Sequence, residues 1–76
     1  MKYKFENISE EKVAQGKQAI NGNGGSISGE NTGSFSISGV EGRYLYEEGT
    51  LTVVIDDKPW LASWGMIEEK LNDFFN

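Results

Sequence analysis

The chain has no cysteine and no histidine, and only one proline. Without cysteine there is no disulfide, no thiolate metal site and no thiol nucleophile, and nothing points to an oxidising compartment. Without histidine there is no Ser-His or Cys-His pair and no imidazole zinc site, so no nucleophile has its usual base. Basic residues are few as well: seven face twelve acidic ones, for a net charge of −5. They are scattered as Lys2, Lys4, Lys12, Lys17, Arg43, Lys58 and Lys70. Counterion release, the main source of nucleic-acid affinity, has little to act on, and an anionic membrane is disfavoured for the same reason. No stretch approaches the ~18 apolar residues of a membrane span, and "MKYKFENISE" lacks the apolar core of a secretory signal, so a cytoplasmic location is expected. The 76 residues therefore make one small acidic domain, 1–76, whose apolar core must carry the fold unaided.

"KYKFE" alternates, placing Tyr3 and Phe5 on one face of a half-buried strand. "NISEEKV" then opens a helix: Ser9 is a natural N-cap, Glu10 and Glu11 suit the positive end of the helix dipole, and Ile8 with Val13 forms a hydrophobic staple. Val13, Gly16 and Ile20 give that helix a narrow apolar stripe, with Gly16 expected where the helix packs closely on a sheet. "NGNGG" at 21–25 ends it, with Asn and Gly able to take a left-handed cap.

"GGSISGENTGSFSISG" at 24–39 reads either as a flexible linker or as two strands written in small residues. Its large apolar residues, Ile27, Phe35 and Ile37, are all odd-numbered, and a linker has no reason to keep that parity. A three-residue loop, Glu30-Asn31-Thr32, sets Ile27 opposite Phe35. A two-residue turn at Val40-Glu41 puts Ile37 on the face of Tyr44. "RYLYEEGTLTVVID" is the strongest signal: a turn at Glu48-Gly49 sets Tyr46 opposite Leu51 and Tyr44 opposite Val53. These turns agree on one inner face, so the stretch is strands, with the Gly/Ser strand a weak edge. Ser63 is an N-cap candidate for a last helix, "WGMIEEKLNDFF", with Trp64, Ile67, Leu71 and Phe74 as its apolar stripe. The expected fold is an α+β two-layer sandwich, β-α-β-β-β-β-α. Its five-stranded antiparallel sheet has order 1-5-4-3-2, with both helices on one face.

Sites for chemistry are sparse. Asp56-Asp57 are adjacent strand residues whose carboxylates diverge, and Glu47-Glu48 sits at a turn, so both pairs read as solvated. "NGNGGS" has Ile27 where a phosphate loop needs glycine, and it leaves a helix instead of entering one. No cofactor, no metal and no enzymatic activity are expected. The stretch that carries a binding hypothesis is "KPWLASW", where both tryptophans lie four apart around Pro59, Trp60, Leu61 and Trp64. Either Trp60 plugs the open end of the core and Trp64 starts a buried stripe, or the loop is an exposed apolar patch of the kind that marks a contact surface. Leu45 and Val54, opposite each other on the outer sheet face, are a second small patch.

Residues 39–75 resemble the C-terminal half of small bacterial proteins grouped as polyhydroxyalkanoate-system (granule-region) proteins. Gly39, Gly42, Leu51, Val53, Ile55, Ile67, Glu68 and Leu71 carry the shared Gly-x-x-Gly turn, alternating hairpin, short loop and "IE" helix start. The resemblance implies a small, bacterial, cytosolic, polymer-associated protein and brings no catalytic residues with it. The leading expectation is a non-enzymatic binding module contacting a protein, lipid or polymer surface through the Trp60–Trp64 loop, as a monomer or weak homodimer. The alternative is a small hydrophobic-ligand carrier with a pocket between sheet and helices, lined by Tyr44, Tyr46 and Trp60.

Overall fold

A computed structural model describes residues 1–75. Its elements are β1 (Lys2–Phe5), α1 (Glu10–Gly22), β2 (Ser26–Ile27), β3 (Thr32–Ile37), β4 (Val40–Glu47), β5 (Thr50–Asp57) and α2 (Trp64–Phe75). The strands form one antiparallel sheet of order β1-β5-β4-β3-β2, and α1 and α2 pack on its inner face. The α+β order expected from the turn parities is the order observed.

Side-chain alternation fixes the register. Tyr46 faces Leu51, Tyr44 faces Val53 and Gly42 faces Ile55 across β4 and β5, and Ile27 faces Phe35 across β2 and β3. The β4–β5 turn is Glu48-Gly49, with φ of 50° and 79°; two positive values match the right-handed twist of the strands it joins. One turn differs from expectation. The β3–β4 turn is Ser38-Gly39, with φ of 52° and 81°, and Ile37 pairs with Val40. Val40, being β-branched, resists positive φ and instead joins the strand, whereas serine followed by glycine accepts it. The shift moves the register by an even step, so Phe35 and Ile37 keep the face of Tyr44.

The inner face is the core: Phe5, Ile8, Val13, Tyr44, Leu51, Val53 and Ile55 are buried. The Ser9 hydroxyl accepts the Lys12 N–H at 3.0 Å, and Ile8 and Val13 are buried on either side of that cap. At the other end of α1 the cap is Asn23, at φ −106°, and the left-handed residue is Gly24, one position later.

The second helix departs from its expected stripe. Ile67, Leu71 and Phe75 pack against the core, spaced i, i+4, i+8, so Phe75 takes the place foreseen for Phe74. The Phe75 ring lies 5.3 Å from that of Phe5. Phe74 turns toward α1, where the Lys12 ammonium sits 4.3 Å from its centroid. Gly16 proves to be a helix–helix notch rather than a helix–sheet contact: a Cβ there would lie 3.3 Å from Phe75 Cζ. No α2 residue is fully buried, so this helix covers the core's rim and leaves the interior to α1 and the sheet.

Candidate functional site

The segment between β5 and α2 is short and held at several points. The Lys58 N–H donates to Asp57 Oδ1 at 2.9 Å, and the Ala62 N–H donates to the Pro59 carbonyl at 3.0 Å. That second bond closes a four-residue turn with Trp60 and Leu61 at its two corners. The Lys58 ammonium donates to the Ala62 carbonyl at 2.6 Å and lies 5.4 Å from the Trp64 ring centroid. On the sheet side Pro59 rests on the β3–β4 turn, so close that a Cβ on Gly39 would come within 2.8 Å of its Cγ. On the helix side the Ser63 hydroxyl accepts the Met66 N–H at 3.1 Å, the N-cap expected from the sequence.

The outcome is a braced apolar tip. Trp60 is 86% exposed and Leu61 76%. Burying a leucine side chain is worth about 2 kcal/mol, and the fold leaves that gain, with the larger one of the indole, unused. Single exposed apolar residues are ordinary, but two adjacent ones at the corner of a pinned turn form a surface suited to contact. The core role weighed for Trp60 does not occur: Pro59, not the indole, packs against the end of the sheet, and the turn aims its corner outward. Trp64 is 36% exposed and stands at the boundary, one face under Lys58.

The structure does not bring Tyr44, Tyr46 and Trp60 together as the wall of one pocket. The Tyr44 hydroxyl donates to the carbonyls of Ser28 and Gly29 at 2.7 and 2.8 Å, and the Tyr46 hydroxyl donates to the Ile8 carbonyl. Both phenols are thus used to tie loops to the sheet, and Trp60 lies in solvent.

On the outer face of the sheet, Arg43 makes a two-pronged contact with Asp56, at 2.9 and 2.7 Å. The guanidinium's hydrogen bonds hold the Asp56 carboxyl below its ordinary value. Leu45 and Val54 are not directly opposite each other; Thr52 faces Leu45 and Arg43 faces Val54, making the two apolar residues diagonal neighbours. They lie on the floor of an open groove that Lys2 and Lys4 of β1 also line. Among the described residues no cluster of acidic side chains is suited to a metal ion, and no helix is long and apolar enough to cross a membrane.

Two features escaped the sequence reading. One is the Lys58 brace, because a single lysine before a proline carries no periodic signal. The other is a clamp on the Gly/Ser edge: the Lys17 ammonium donates to the Gly29 and Glu30 carbonyls, beside the bonds from Tyr44. In a comparison with known proteins, the chain matches no family model, no curated protein and no solved structure.

Proposed function

We propose that the protein is a non-enzymatic binding module whose contact element is the Pro59–Trp64 turn, with Trp60 and Leu61 as anchors. The observation that carries this reading is the 86% exposure of Trp60 on a turn that is fixed before any partner arrives. Binding hot spots are enriched in tryptophan, and an anchor already held in place loses less entropy on docking. The carboxylates Asp56 and Asp57 have other work, on Arg43 and on the Lys58 backbone, which weakens the case for acid–base chemistry there. The reading keeps the bacterial, cytoplasmic setting that the resemblance of residues 39–75 implies.

A photo-crosslinking residue placed at Leu61 tests this in cells that express the protein. Discrete adducts from position 61, lost when Trp60 is also changed to Ala, are the expected result. Trp60→Ala alone should leave the melting temperature within a degree or two, because the side chain makes little contact within the fold. Adducts from the exposed α1 residue Gln18, and none from Leu61, would overturn the reading.

A further inference from the structure

The molecule carries a surface complementary to its own tip. The open groove on the outer face has an apolar floor, Leu45 and Val54, with two lysines of the edge strand on one side and Glu47 and Glu48 at its β4–β5 end. Leu45 is 44% exposed, and neither Lys2 nor Lys4 makes an ion pair among the described residues. The tip has the opposite character. It is apolar at Trp60 and Leu61; its acidic neighbours along the chain are Asp57 at the end of β5 and, past the first turn of α2, Glu68 and Glu69, which Lys70 follows. Lys58, the cation that directly precedes the turn, is occupied by the Ala62 carbonyl. An apolar anchor with acidic flanks suits an apolar floor with a basic side.

We propose that the partner of the Trp60–Leu61 tip is a second copy of this chain, docking tip into outer-face groove. This rests on the contact reading above and names its occupant. The tip and the groove are different patches, so each copy offers one donor and one acceptor surface. Lys2 and Lys4 set the orientation by facing the acidic neighbours of the tip, and Glu47 at the end of β4 with Glu48 of the β4–β5 turn disfavours the reversed approach by like-charge repulsion.

Two variants and their mixture decide the matter. In sedimentation velocity from micromolar to millimolar concentration, the wild type should gain mass with concentration. Trp60→Ala/Leu61→Ala, with the tip removed, and Leu45→Lys, with the groove altered, should each associate about thirtyfold more weakly or not at all. An equal mixture of the two should associate again, because one supplies an intact groove and the other an intact tip. That recovery also shows that Leu45→Lys is folded. Raised salt should weaken the wild-type association. A wild type that stays monomeric throughout, or a mixture that stays as monomeric as its components, overturns the proposal. If Leu61 crosslinks to other molecules while the wild type remains monomeric, the tip is still a contact but the second copy is not its partner. Failure of both experiments removes the contact reading itself.

Discussion

Gly42→Val is expected to destabilise the protein by about 3 kcal/mol, the upper part of the range for overpacking a core. Gly42 is buried in the middle of the sheet, opposite Phe35 on β3 and Ile55 on β5. A Cβ at that position would lie 2.2 Å from the Val54 carbonyl oxygen and 2.8 Å from Phe35 Cζ. The first distance is to backbone, which cannot swing away. The second is to a ring that covers the glycine and helps close the core over β3. Gly42 also sits where the β4–β5 register shifts, so relief of the clash would have to come from the hydrogen-bonded ladder itself. Marginal stability is the rule for domains of this size, so Gly42→Val should be largely unfolded near physiological temperature, with Gly42→Ala between it and the wild type. Urea melts measure this directly; a Gly42→Val midpoint equal to that of the wild type would mean that β4 and β5 are not packed as described.

Tyr44→Leu is the second large effect, at about 3 kcal/mol. Its ring is 5% exposed in the centre of the core, and its hydroxyl holds the loop that leads from β2 to β3 through Ser28 and Gly29. Leucine fills part of the ring's space and leaves both carbonyls without that donor. Tyr44→Phe separates the two contributions, because only the hydroxyl is lost; about 1 kcal/mol is expected. The location of that loss is more informative than its size. In Tyr44→Phe the Ser28 amide, which donates to the Ser34 carbonyl at 2.9 Å, should exchange with deuterium faster, while amides shared by β4 and β5 stay protected. Unchanged exchange at Ser28 would show that the Gly/Ser edge is held by something other than this clamp.

That edge shows how far the sequence was legible. The parity of Ile27, Phe35 and Ile37 assigns strands and a common face, because side-chain alternation survives any even change in register. It does not locate the turn. Val40-Glu41 and Ser38-Gly39 both preserve parity, and only the φ each residue tolerates separates them. The helix caps at Ser9 and Ser63 were legible for a similar local reason: the capping hydroxyl lies three residues from the N–H it accepts. Whether Phe74 or Phe75 enters the core was not, since both fall near the same side of a helix and both rings reach Gly16 on another element.

The site divides in the same way. Composition and spacing single out Pro59, Trp60, Leu61 and Trp64 as the place where apolar mass collects outside a regular strand. Exposure is not a local property, and tryptophan more often serves a small core. Here the decision rests on Pro59 settling against Gly39 and on Lys58 reaching the Ala62 carbonyl, contacts between elements far apart or without period. The lysines beside the outer groove were legible only as scattered charges, until pairing of β1 with β5 put Lys2 and Lys4 next to Val54 and Thr52.

The most direct test of the account is the environment of Trp60 in solution. Trp64→Phe leaves Trp60 as the only indole, and its emission maximum and iodide quenching report its contact with water, measured on dilute protein so that self-association does not shield it. The account predicts red-shifted emission and ready quenching, close to that of the unfolded chain. A blue-shifted, shielded Trp60 would contradict it and return the turn to the core.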